Sequence, residues 1–98
     1  MIHLIATLKI KPGSLEDIRA HAMPCIAATR LEPGCISYDL HQSLSEPDTL
    51  VFVERWKDRP ALDAHFGMPH LVEWRDNGAP FILERRIEII EDGMIEVR

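Results

Sequence analysis

Residues 29–43 read TRLEPGCISYDLHQS, and the fold turns on how that stretch is divided. Up to Leu31 small and apolar residues recur at helical intervals. From Cys35 onward the pattern changes to strict alternation, with Cys35, Ser37, Asp39, His41 and Ser43 on one side and Ile36, Tyr38, Leu40 and Gln42 on the other. Pro33-Gly34 separates the two, because proline cannot continue a helix and glycine permits the reversal. The segment is therefore a helix end, a tight turn and a strand. The strand's polar side faces either water or a cavity, and its Tyr38 and Leu40 side faces a core.

Working back from the turn, the helix starts after Pro12-Gly13, with Ser14 as N-cap and Glu16 and Asp17 in its first turn. Its buried stripe is Leu15, Ile18, Ala22, Ile26 and Thr29, and Pro24 predicts a kink near Ala20 to Pro24. Before it, Ile2 to Ile10 alternates with one fully apolar side (Ile2, Leu4, Ala6, Leu8, Ile10), which is a strand. Working forward, strand two covers Cys35 to Leu44 and strand three Thr49 to Trp56, joined as an antiparallel hairpin by Ser45-Glu46-Pro47-Asp48. Asp58 or Arg59 caps a short helix ending near Phe66-Gly67. Pro69 opens a second helical stretch that closes at Asn77-Gly78. A last strand runs from about Leu83 to Glu91, and residues 92–98 form a tail long enough to pair with another strand or a partner subunit. The order β-α-β-β-α-β predicts an α+β, ferredoxin-like domain over residues 1–98.

The 98 residues suffice for one core. A formal charge of −5, with the 11 lysines and arginines scattered, argues against nucleic acid as a partner. No apolar run approaches the roughly 18 residues of a membrane span, and no secretory leader is visible, so a cytoplasmic location is expected. Cys25 and Cys35 form no CxxC pair and are read as small packing residues. GxSxG, GxGxxG and Walker sequences are absent.

Chemistry concentrates in Glu54-Arg55-Trp56 and Ala64-His65-Phe66-Gly67-Met68-Pro69-His70. On one unbroken helix the two imidazoles would project about 140° apart, but Gly67 and Pro69 let both turn toward one pocket. Imidazole moves protons near neutral pH, and Trp56 could supply a flat wall for an aromatic substrate. The plain alternatives are that His65 and His70 cap carbonyls or loops and that Trp56 is a core residue. Glu54 lies on the inward side of its strand with Phe52 and Trp56 and needs a partner there, for which Arg30, Arg55 and His65 are candidates. Tyr38 falls near Trp56. A metal site is not expected, since the histidines lack zinc spacing.

The first strand ending in KPG, the run EPGCISYDLHQ, the segment VFVERWKDRPALDAHF and the A-H-x-x-x-P-H at Ala64 to His70 together resemble the antibiotic biosynthesis monooxygenase domain family, from Ile2 to about Glu91. The resemblance implies a homodimeric α+β barrel with a pocket between each sheet and its helices. It also implies cofactor-independent oxygenation of a small aromatic phenol, a quinol or anthrone, with molecular oxygen as co-substrate. His65 and His70 are then the expected catalytic pair, and Tyr38, Glu54, Trp56 and Phe66 the substrate-binding set. The Asn and Tyr that anthrone oxygenases place around the tryptophan are here Phe52 and Leu62, and the haem-degrading triad has no counterpart. Isomerisation of a small carbonyl metabolite, or a non-catalytic ligand-binding or stress-response role, are the alternatives.

Overall fold

The apolar side of the first strand decides the architecture. In the computed structural model, which describes residues 1–98, β1 (Ile2–Ile10) buries Ile2, Leu4, Ala6, Leu8 and Ile10 and leaves His3 and Lys9 exposed. A strand with one side this apolar belongs in the middle of a sheet beneath helices. β1 pairs antiparallel with β3 (Thr49–Trp56) on one side and with β4 (Ile82–Glu91) on the other. β2 (Cys35–Gln42) flanks β3, and Met94–Val97 adds β5 to β4 of its own chain, giving the order β2-β3-β1-β4-β5. Asp92-Gly93 makes that reversal with both residues at positive φ.

Three helices cover one face: α1 (Leu15–Thr29), α2 (Arg59–Phe66) and α3 (Pro69–Gly78), the last followed by a short 3₁₀ turn at Ala79–Phe81. The chain is thus the ferredoxin-like α+β domain its alternation predicts, with the second helical unit split in two at Gly67-Met68. Ile18, Ala22 and Ile26 of α1, Leu62 of α2 and Leu71 of α3 pack onto Leu4, Leu50 and Phe52 of the sheet. Each Ile, Leu or Phe among these contributes about 1.5–3 kcal/mol on burial.

Local details differ from the sequence expectation for identifiable reasons. Ser14 occupies the N-cap position, but its hydroxyl donates to the Lys11 carbonyl at 2.6 Å instead of receiving a helix N–H. Asp58 does cap α2, accepting from the Ala61 N–H at 3.0 Å. The helix α1 continues through Pro24, which lies on the exposed face, so the Ala20 carbonyl that proline leaves without an N–H is open to solvent. The largest departure is at the start of β2. A bulge between Cys35 and Ser37 puts Cys35 opposite Trp56 and turns Ile36 outward to 49% exposure. Ile36 therefore does not share the inner face with Tyr38, and Cys35 takes that place against the core.

The turn at Gly34 packs closely against α2. Gly34 sits at φ +86°, and a Cβ there would lie 2.6 Å from the Cβ of Ala61 on α2. Its carbonyl also accepts the Lys57 N–H at 2.9 Å. Gly34→Ala is expected to destabilise the protein by about 1–3 kcal/mol, through left-handed strain and a contact that must open. A shift of the urea midpoint with unchanged slope measures it, and an unshifted midpoint would contradict the packing described.

Candidate active site

The residues that meet beneath α2 are set up by strand alternation and by the turn after α1. Alternation on β3 sends Leu50, Phe52, Glu54 and Trp56 inward. Three of these are apolar, and Glu54 is a carboxyl group 4% exposed among them. On α2, His65 lies one turn beyond Leu62 on the same buried face and is 1% exposed. The turn after α1 is wound by Leu31 N–H donating to Ala28 and Glu32 N–H to Thr29, which carries Glu32 to the inside, 8% exposed.

Glu32 is the hub of the site. Its Oε2 lies 2.7 Å from His65 Nδ1 and 2.7 Å from His70 Nε2. An ionised carboxylate can only accept, so each imidazole directs an N–H at it. His65 then carries its proton on Nδ1 and presents Nε2 unprotonated, and Nε2 has no other hydrogen bond in the structure. Burial holds the His65 pKa below its ordinary value, and the bond to Glu32 acts in the opposite direction. A neutral, oriented imidazole is the form that accepts a proton. Glu32 Oε1 is buried with no partner. Two carboxyl groups at such depth cost several kcal/mol in desolvation, which a fold under selection for stability alone avoids.

The sequence candidates fall into two groups. A cavity of about 330 Å³ opens between the sheet and the helices, and Tyr38, Glu54, His65 and Phe66 line it. His70 and Trp56 do not. His70 stands behind Glu32, with its side chain 23% exposed, and reaches the cavity through the carboxylate and His65. Trp56 is completely buried, its ring 4.7 Å from that of His65 and tilted by 37°. The aromatic wall expected of Trp56 is instead supplied by Phe52 and Trp74, whose rings meet edge to face at 5.8 Å. The partner of Glu54 is none of Arg30, Arg55 and His65. It is the indole N–H of Trp56, donating to Oε1 at 3.0 Å. Strand geometry explains this, since residues i and i+2 share a face.

Glu54 Oε2 has no hydrogen bond and the residue borders the cavity. Burial raises its pKa to about 7; the Trp56 N–H and the Arg75 charge resist the rise, while the Glu32 charge adds to it. The group therefore exchanges a proton near neutrality. Tyr38 behaves differently: burial first, then the Glu54 charge, keeps its phenol protonated, so its ring acts as wall. Burial likewise raises the thiols of Cys25 and Cys35 and leaves them poor nucleophiles.

The ligand atoms of Glu32, His65 and His70 lie within 4.8 Å of one another, the number and type of donor a divalent cation accepts. The two 2.7 Å contacts are hydrogen-bond distances. A zinc ion bound at roughly 2.0–2.2 Å would have to spread them apart.

Of the functional residues, the sequence reading missed Glu32 and Trp74. Glu32 lies in the turn beyond the end of α1, where helical periodicity gives no signal. Trp74 lies three residues after Leu71, on the same face of α3.

Comparison with known proteins agrees with this architecture. Residues 1–77 match the family model described as antibiotic biosynthesis monooxygenase. The chain is 35% identical over 88 residues to an uncharacterized Synechocystis protein, sll1783, spanning 90% of this chain and 59% of that relative's length. It is 39% identical over 74 residues to "Putative monooxygenase Rv0793" of Mycobacterium tuberculosis, covering 76% of this chain and 72% of that one. The crystal structure titled "Putative antibiotic biosynthesis monooxygenase from Nitrosomonas europaea" superposes with a TM-score of 0.88 at 27% identity, over 93% of this chain and 97% of its own. An α+β sheet of this order, its helices on one face and a family match over most of its length lead to one conclusion: the chain belongs to the antibiotic biosynthesis monooxygenase family.

Proposed function

We propose that this protein is a cofactor-independent monooxygenase that oxidises a small electron-rich phenol, such as a quinol or an anthrone, with O₂. The observation that carries the reading is the Glu32-oriented His65 beside Glu54 in one largely apolar cavity. "Probable quinol monooxygenase YgiN" of Escherichia coli, 27% identical over 107 residues, 96% of this chain and all of its own length, supports the same substrate class.

His65 Nε2 accepts the phenolic proton, and the apolar walls keep water from solvating the phenolate that forms, which makes it a readier electron donor. The phenolate gives one electron to O₂, and the resulting superoxide and phenoxyl radical join at a ring carbon as a peroxide. Glu54 in its protonated form supplies the proton that makes this a hydroperoxide. Loss of the proton on that ring carbon then breaks the O–O bond, releases water and leaves a new carbonyl. For a quinol the sum is quinol plus O₂ giving hydroxyquinone plus water, with no outside reductant. His70 and Glu32 are positioning residues, and Tyr38 and Phe66 bound the substrate.

Oxygen uptake against a panel of quinols and anthrones, with one O₂ consumed per product formed, is the expected result. His65→Gln is expected to lower turnover by about 10²–10⁴-fold. Full turnover under strict anaerobiosis would overturn the oxygenase and favour an isomerase. Glu54 and His65 give that second reading its basis, since two proton-exchanging groups in one cavity suffice to enolise a carbonyl compound. Unchanged turnover in His65→Gln would remove the imidazole from either mechanism. Absence of both turnover and ligand binding would favour the non-catalytic role.

We also propose a homodimer formed sheet to sheet. The register places Ile5, Val51, Val53, Ile90 and Ile95 together on the face without helices, Val53 being 37% exposed. Light scattering at micromolar concentration is expected to give twice the chain mass, and Val53→Glu to reduce it. A wild-type monomer would contradict the proposal.

A further inference from the structure

Most arginines of this acidic chain are matched to carboxylates. Arg19 pairs with Glu16, Arg30 with Asp39, Arg59 with Asp63 and Glu96, Arg86 with Glu88 and Arg98 with Glu96. Two that are not matched, Arg75 and Arg85, border the cavity. Arg75 lies on the last turn of α3 and holds its guanidinium over the Phe66 ring, 5.8 Å from the centroid. Arg85 comes from β4 on the opposite side. Register places it beside Leu8, on the face the helices cover, so its charge belongs to the inner side of the sheet and not to the outer one. Glu84, next to it, also borders the cavity but pairs in register with Lys9 on the other face, and it forms no ion pair with Arg85.

We infer that the cavity binds an aromatic compound carrying an anionic substituent, a carboxylate or a phosphate, which Arg75 and Arg85 hold while the ring lies among Phe52, Trp74 and Phe66. The inference rests on the aromatic-substrate reading above and narrows it. Two unpaired guanidiniums on a chain of net charge −5 are poorly explained by stability, because neither gains an ion pair in the folded state. Each has all its donors available to oxyanion oxygens, and planar guanidinium is suited to bidentate recognition of carboxylate and phosphate. The division of chemistry follows. Glu54 and His65 handle the proton of a hydroxyl group, and the arginines neutralise the anion, which Glu54 in its negative form would otherwise repel. A substrate of this class has its ring orientation set by its anionic group, which selects the hydroxyl to be deprotonated.

The test is binding and needs no turnover, so it stands apart from the fate of the oxygenase reading. Quenching of tryptophan fluorescence is followed, since Trp74 borders the cavity. The probes are 2-naphthol, 2-naphthoate and 2-naphthyl phosphate at fixed pH and ionic strength. At least one anionic probe is expected to bind about tenfold more tightly than 2-naphthol. Comparison of naphthoate with naphthyl phosphate decides which oxyanion the site prefers. Arg75→Gln and Arg85→Gln are each expected to remove most of that preference while 2-naphthol binding stays unchanged, and added salt should weaken only the anionic probes. Equal affinity for all three probes, no binding of any, or a preference that survives both substitutions would overturn the assignment. Loss of 2-naphthol binding in the variants would also count against it, by showing a packing role.

Discussion

Glu32→Gln is expected to lower turnover on any quinol that the protein oxidises by about 10²–10⁴-fold, with KM nearly unchanged. The substitution preserves size and leaves Glu32 Oε1, already without a partner, in a similar setting. What changes is the oxygen 2.7 Å from both imidazoles. A neutral amide accepts more weakly than a carboxylate, and its NH₂ group donates. Where that NH₂ takes the Oε2 position, it donates to both rings, the His65 proton moves to Nε2, and the nitrogen facing the substrate can no longer accept one. Where the amide oxygen takes it, both rings keep donating, but to a weaker acceptor, and the NH₂ is left at the partnerless Oε1 position. Long-range ¹H–¹⁵N spectra of the imidazoles read this directly. The wild-type spectrum should show His65 protonated at Nδ1, and the variant a different tautomer or a mixture. Circular dichroism separates this from unfolding. A variant with the wild-type tautomer and undiminished kcat would refute the role assigned to Glu32. His70→Gln, one bond further from the cavity, should cost less than either Glu32→Gln or His65→Gln.

The uneven visibility of this site in the sequence has physical causes. Alternation reports which face a strand residue occupies, so Leu4, Tyr38, Phe52 and Glu54 were placed correctly. Alternation says nothing about where the packing leaves a void. Trp56 was on the right face but lies under His65 with no space beside it, whereas Trp74 borders the cavity, and only the packing of α3 against the sheet distinguishes them. Glu32 was invisible for a different reason. It occupies a turn, and the direction of a turn side chain depends on backbone angles that no periodicity encodes. Here the turn is wound by the Leu31 and Glu32 N–H groups donating to Ala28 and Thr29, and it leaves through Gly34 at φ +86°. The bulge that turns Ile36 out is likewise one extra residue in a ladder, with no marker in CISYDLHQ that distinguishes it from regular alternation. Proline and glycine punctuation, by contrast, acts locally, and the turns at 12–13, 33–34 and 92–93 lie where those residues stand.

Glu54→Gln is expected to make the protein more stable at pH 8 and to leave its stability almost unchanged at pH 4. The carboxyl group is raised from an ordinary 4.5 to about 7 in the folded state, with burial as the main cause. Between these values the folded protein holds a proton that the unfolded chain has released. Stability from this group is therefore fully present below about pH 4.5 and is lost as pH rises toward 7. A shift of that size corresponds to about 3 kcal/mol. His65 has the opposite sign. Its pKa is lowered, so its contribution is present above the unfolded value and is lost as pH falls below it. The two slopes overlap in the wild type, which is why the comparison must be with Glu54→Gln and not with pH alone. The amide keeps an oxygen for the Trp56 N–H and removes only the titration. Urea unfolding of both proteins from pH 4 to pH 8 should give a difference near zero at the acid end that grows through the window and levels off above pH 7. A constant difference would mean that Glu54 ionises at its ordinary value. The cavity would then lack the proton donor assigned to it, because the same desolvation that destabilises the ionised fold is what keeps Glu54 protonated for the peroxide.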